Sequence, residues 1–252
     1  MDLSAIILAA GKGSRLVEAT FGSPKPLVDI NGISLIQRQI NLYKKEKIKK
    51  ITVIRGYKLN EFQLKNVNYV DDLEFEKHDQ LGSLISGINE IEGDVLITFG
   101  DILFDEKIVQ QMITSEKEIS VAVDPNWRES YEKRKDNPIE LAGKVLIKNN
   151  QILEFSEELP ISKEGFEIAE FLGIIKIRNN MTEKIRKLLK NLTENHKGKF
   201  HDAKSFQYAK LTDFLQELIK LEIKITPVFI KGKWCEIDTP MDLEIARNKF
   251  ID

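Results

Sequence analysis

The chain has 252 residues, with 38 Lys and Arg set against 40 Asp and Glu, one cysteine, and a formal net charge of −2. That balance argues against the bulk basicity of a nucleic-acid binder, and the single Cys235 excludes an internal disulfide framework or a multi-cysteine zinc site. The length suits one α/β domain with a small inserted lobe, and no apolar stretch, the opening MDLSAIILAAGKG included, reaches signal or membrane-spanning length, so the chain reads as cytoplasmic without a membrane partner.

Residues 5–10 form a continuous apolar run, the pattern of a central parallel strand covered on both faces. Gly11, Gly13 and Ser14 then remove side-chain bulk, so backbone N–H groups can approach phosphate oxygens, while Lys12, Arg15 and Lys25 bring positive charge to the same mouth. An ordinary strand exit would also tolerate these glycines. The loop is not a dinucleotide fingerprint, because Leu16 stands where a third glycine would be, and it is not a P-loop, because Gly-Lys-Ser/Thr is absent.

Asn31-Gly32 marks a turn, and Ser34 can cap a helix that turns Leu35, Ile36, Gln39, Ile40 and Tyr43 towards the sheet, with the basic run 44–50 as its solvated end. Strands follow at 51–54 and 67–70. A helix is expected over 81–91, preceded by His78, Asp79 and Gln80 and closed by Gly93. The strand at 95–99 then delivers Gly100 and Asp101 to the same edge as the glycine loop. Alternating apolar runs and helical patterns imply right-handed crossovers in a Rossmann-like, doubly wound, mixed but mainly parallel sheet, whose ligand crevice lies beyond the carboxyl ends of the strands.

Beyond a helix at 106–113 and a strand at 119–123, residues 126–140 show no core-facing period and read as a solvated loop or irregular helix. A hairpin at 144–147 and 152–155 turns on Asn149-Asn150, a strand covers 170–177, and amphipathic helices are expected over 182–192 and 206–221. One of these helices could pack a partner subunit, which leaves a homodimer open. His196 and His201 lie in a polar connector and read as surface residues rather than metal ligands. After a strand at 225–230, Thr239 and Pro240 supply a cap and a first helical residue. Glu236 and Asp238 are then either helix-start acids or, two apart in a strand-like segment, carboxylates converging on one face.

LAAGKGSRL with SPKPLVDING, then ITFGDILF, AEFLGIIKI and WCEIDTPMDL, resemble in order the signatures of the nucleotidyltransferase family that couples nucleoside triphosphates to phosphorylated small molecules. The resemblance implies that Leu8, Ala9, Ala10, Gly11, Lys12, Gly13, Ser14 and Arg15 wrap the triphosphate, with Arg15, Lys25 and Asp101 as catalytic residues. It implies a looser match in HDQLGSL, where Gln80, Gly82 and Ser83 with Leu84 would hold base and ribose, and Asp79 stands where an asparagine is frequent. Asp101, Glu236 and Asp238 would bind Mg2+, and Trp127, Arg128, Tyr131, Lys133, Arg134 and Glu170 would roof the acceptor pocket. Residues 1–123 and 224–252 would then form a nucleotide half and 124–223 an acceptor lobe.

Within the family the chain looks most like the small cytidylyltransferases, which join CTP to 2-aminoethylphosphonate, phosphocholine or a phosphorylated amino-acid amide such as phosphoglutamine. The lack of a repeat-rich extension favours this branch over the acetyltransferase-fused one. A phosphate or phosphonate oxygen is ionised at neutral pH, so no general base is required, in keeping with the absence of histidine or cysteine in the catalytic pattern beyond Cys235. A sugar-1-phosphate enzyme using UTP or dTTP, or a silent nucleotide-binding subunit, are the alternatives.

Overall fold

A computed structural model describes residues 3–13, 16, 22–132, 134 and 137–251. In chain order come β1 (Leu3–Ala9), the short ribbon of β2 (Asp29–Ile30) and β3 (Ile33–Ser34), α1 (Leu35–Lys45), β4 (Lys50–Arg55), β5 (Asn68–Asp71), α2 (Gln80–Ser86), β6 (Asp94–Phe99) and β7 (Ile102–Phe104). Then follow α3 (Glu106–Thr114), β8 (Ile119–Asp124), α4 (Arg128–Tyr131), β9 (Lys144–Lys148), β10 (Gln151–Ser156) and β11 (Glu167–Ile177). The chain closes with α5 (Asn179–Asn195), α6 (Leu211–Lys220), β12 (Thr226–Phe229), β13 (Trp234–Glu236) and α7 (Pro240–Lys249).

β1 is buried from Ser4 onward, and its side chains alternate between two cores: Ala5, Ile7 and Ala9 pack on one face, Ile6 and Leu8 on the other. That two-sided burial makes β1 a central strand. It pairs in parallel with β4 and β6, and β4 with β5, giving a parallel block. β11 enters antiparallel beside β6 and continues against β8 and β9, so the large sheet runs β10-β9-β11-β6-β1-β4-β5 with β8 and β12 branching from β11. A bulge makes the branch possible: register shifts between Phe171 and Ile175, and Gly173 adopts φ +73 where an added Cβ would stand 2.1 Å from the Phe99 ring.

Local chemistry accounts for most boundaries. α1 buries Leu35, Ile36, Gln39, Ile40 and Tyr43, the five positions expected. Ser34 sits at its N-cap without a side-chain bond, and the Leu35 N–H instead donates to the Val28 carbonyl at 2.9 Å. Asn149 and Asn150 take φ +51 and +56, the left-handed pair that a two-residue hairpin turn requires.

Two helices are shorter than expected. α2 starts at Gln80 with Asp79 as cap and ends at Gly87, leaving a separate turn at Ile88–Glu90. Its early N–H groups are met from outside: Asp79 and Leu81 donate to the carbonyls of Gln207 and Ala209, while the Gln80 side chain accepts from the Leu211 N–H. Serving as that partner keeps 209–210 out of the helical ladder, so only a turn at Phe206–Tyr208 precedes α6. No helix among the described residues is long and apolar enough to cross a membrane.

Candidate active site

The carboxyl edge of the parallel block carries the candidate site. Gly100 follows β6 directly and donates its N–H to the Leu8 carbonyl at 2.7 Å; an added Cβ would stand 2.8 Å from that oxygen, so glycine lets the two strand exits abut. From α1, the buried Gln39 amide donates to the carbonyls of Phe99 at 2.9 Å and Ile102 at 2.6 Å. The turn that presents Asp101 is therefore held by hydrogen bonds on both sides.

Glu236 and Asp238 arrive from the far end of the sequence. β13 pairs antiparallel with β7, which sets Glu236 opposite Ile102, and the Ile237 N–H donates to the Asp101 carbonyl at 3.0 Å. Thr239 then caps α7: its hydroxyl accepts from the Asp242 N–H, and Asp242 returns a carboxylate oxygen to the N–H groups of Asp238 and Thr239. These constraints bring ligand oxygens of Asp101, Glu236 and Asp238 within 4.8 Å of one another.

Lys25 completes the group. It rises from a turn between Pro24 and Pro26, is buried, and donates to Asp101 Oδ2 at 2.8 Å and Asp238 Oδ1 at 2.5 Å. Burial opposes its charge, but the carboxylates of Asp101, Asp238 and Glu236 outweigh burial and hold its pKa above the ordinary lysine value. Burial first, then the charges of Asp238 and Asp101, push the Glu236 carboxyl up to about 7. Gly13, at φ +62, passes so close that an added Cβ would meet the Lys25 Cβ at 2.8 Å. Leu8, Ala9 and Ala10 bury their side chains beneath the loop, while Gly11 and Lys12 are exposed at its mouth. Ser14, Arg15 and Lys133 lie outside the described residues.

From these acids a cleft of about 320 Å³ runs past Asn137 and Tyr131 to Glu170, with Gln80 and Lys210 also on its wall. Asn137 donates to Asp238 Oδ2 at 3.2 Å. Glu170 is buried; its Oε1 accepts from the Tyr131 hydroxyl at 2.5 Å and its Oε2 has no hydrogen-bond partner. Burial, aided by Glu236, raises the Glu170 carboxyl to about 8 against the hydrogen bond from Tyr131.

Other expected contacts fall elsewhere. Trp127 has a fully buried indole, packed with Tyr131, Ala142, Leu146, Leu159 and Ile168, that donates to the Ile168 carbonyl at 3.2 Å. Arg128 is not among the residues lining the cleft; it donates to the Ile161 carbonyl and lies over the Trp127 ring. Arg134 sits behind Glu236, donating to Asp242 Oδ1 at 2.7 Å with Nη2 3.6 Å from Glu236 Oε2. Ser83 donates to the buried Asp72, and Gly82 lies against the His78 ring, where an added Cβ would clash at 2.3 Å. Gln39, Asn137 and Asp242 were missed as site residues; Asp242 was signalled by its place in the WCEIDTPMDL signature and by the Thr-x-x-Asp spacing at the last helix start.

The α/β sheet and its carboxyl-edge cleft are those of a nucleotide-handling transferase. The model of the MobA-like NTP transferase domain matches residues 5–197, and the chain belongs to that family of nucleotidyltransferases. The CTP:phosphoglutamine cytidylyltransferase of Campylobacter jejuni is 30% identical over 260 residues, covering 98% of this chain and 100% of the relative. The bifunctional protein GlmU of Methanococcus aeolicus is 30% identical over 254 residues, 99% of this chain but 54% of that protein, so the chain spans about half its length. Among solved structures, the inositol-1-phosphate CTP transferase from T. maritima shares the fold with a TM-score of 0.73 at 20% identity, over 98% of this chain and 95% of the other.

Proposed function

We propose that the chain transfers CMP from CTP to a small phosphate or phosphonate monoester and releases pyrophosphate. The observation that carries this reading is the convergence of Lys25, Asp101, Glu236 and Asp238 at one cleft mouth beside the glycine loop. On this reading residues 1–123 and 224–252 hold the nucleotide and 124–223 the acceptor. The relative from C. jejuni supports CTP as donor and a phosphorylated amino-acid amide as acceptor, with 2-aminoethylphosphonate and phosphocholine in the same chemical range.

The three acids fit a magnesium ion. Carboxylate oxygens are its preferred protein ligands, and Asp101 Oδ1 is buried without a hydrogen-bond partner. Asp101, Glu236 and Asp238 would hold the ion, which supplies positive charge against the phosphates when bound.

The remaining work falls to the chain itself. Backbone N–H groups around Gly11 and Gly13 would hold the leaving pyrophosphate, and Lys25 would neutralise charge as it develops at the α-phosphorus. The acceptor's ionised oxygen forms the new bond to that phosphorus as the bond to the bridging oxygen of pyrophosphate breaks, and no proton has to be removed first. Tyr131 and Glu170 would meet the acceptor's far end, where the Oε2 of Glu170 lacks a protein partner.

The test is pyrophosphate release from each of the four nucleoside triphosphates, paired with phosphonates, phosphate monoesters, phosphorylated amides and sugar 1-phosphates. CTP-dependent release with a non-sugar acceptor is expected. Release confined to UTP or dTTP with a sugar 1-phosphate, or nucleotide binding without turnover, would overturn the reading.

A further inference from the structure

The Lys25 ammonium lies between two of the acids at the cleft mouth, at the place where a cation would be held. It touches Asp101 Oδ2 at 2.8 Å and Asp238 Oδ1 at 2.5 Å, two of the three carboxylates that converge within 4.8 Å. Pro24 and Pro26 restrict the backbone on either side, so any exchange of partners falls to the lysine side chain. An ammonium and a divalent ion cannot both sit between these two carboxylates: they would draw on the same oxygens and repel each other. Phosphate oxygens arriving at the glycine loop are an alternative partner for the lysine.

We propose that Lys25 is the resident cation of the nucleotide-free site, occupying the place between Asp101 and Asp238 for which a divalent ion competes, so that the ion enters together with the triphosphate that draws Lys25 away. This rests on the proposed metal role of the three acids. It gives the lysine two successive partners: the acids before binding, when uncompensated carboxylates would repel one another, and the phosphates afterwards. The exchange also disfavours an ion bound unproductively in the absence of nucleotide.

The proposal is tested by titrating the nucleotide-free protein with Mn2+ alone and following free Mn2+ by electron paramagnetic resonance. The wild type should bind weakly, and Lys25→Met should bind about tenfold tighter or better, since removal of the competing charge leaves the oxygens to the ion. Adding Asp101→Asn to Lys25→Met should abolish the gain, placing the ion at this cluster. Equal or weaker binding by Lys25→Met overturns the proposal. If that variant does not fold, Lys25→Gln replaces it, and the wild type remains decisive, because tight Mn2+ uptake without nucleotide overturns the proposal by itself. Undiminished turnover in Asp101→Asn would instead sink the metal reading, a result distinct from a failed exchange.

Discussion

Asp242 is fully buried and accepts four hydrogen bonds: from Arg134 Nε, from the N–H groups of Asp238 and Thr239, and from the Thr239 hydroxyl. Removing it strands the Arg134 guanidinium in the interior and frees the backbone that presents Asp238. Asp242→Ala should therefore lose about 3–5 kcal/mol of unfolding free energy. Thr239→Ala, which removes the cap and one of the four bonds to Asp242 but leaves Arg134 paired, should lose about 1 kcal/mol. Denaturant unfolding of the two variants separates these amounts, and equal losses would mean that Arg134 finds another partner. Glu170 supports a pH prediction. Its folded pKa, raised by burial to about 8, lies above its unfolded value, so the folded state retains a proton that the unfolded state releases. Between about pH 4.5 and about pH 8 the contribution of Glu170 to stability is lost as pH rises, and Glu170→Gln lacks that contribution. The melting temperature of Glu170→Gln should gain on the wild type across this window, and a constant difference would refute the assignment.

The glycine loop distinguishes two uses of a glycine at the level of an element. A Cβ at Gly13 would strike the Lys25 Cβ at 2.8 Å in a left-handed backbone, whereas a Cβ at Gly11 would meet nothing within 4 Å. Gly13→Ala should lower the melting temperature and shift Lys25 off its acids. Gly11→Ala should fold like the wild type and raise only the KM for CTP, because the space it fills is expected to belong to phosphate. Thermal unfolding and initial rates decide this, and an unchanged KM in Gly11→Ala would remove that residue from the nucleotide contact. Elements buried on both faces, such as β1, β4 and β6, were legible because a continuous apolar run has few other uses. The break at Ala209 was not, since it arises where 207–209 supplies carbonyls to the start of α2, a contact between segments about 130 residues apart. The core packing of Trp127 was not legible for a related reason. The surrounding charges suggested a solvated loop, but its core partners come from β9, β11 and the segment around Leu159, which local periodicity does not reveal.

Across the whole molecule, the site joins segments that fold far apart in sequence: Lys25 and Asp238 are 213 positions apart, and Glu236 and Asp238 lie beyond the 5–197 match to the family model. The acids and the lysine were legible through their motifs. The supports that bring them together, Gln39 beneath Asp101 and the β7–β13 pairing, were not, because a buried amide or a three-residue ribbon leaves no pattern of its own. The two ends of the chain are stitched at Asp101, whose carbonyl accepts from Ile237 and whose carboxylate accepts from Lys25. A ligand that engages both carboxylates and loop should therefore stabilise three segments at once by mass action. With CTP and Mg2+, amide hydrogen exchange should slow together in peptides covering 8–13, 100–104 and 234–239, while β10 at the sheet edge should exchange as before. Protection limited to 8–13 would leave the acids outside the nucleotide site. Asp238→Asn should reduce the protection at 234–239 first, because that side chain is the closing segment's own contact with Lys25.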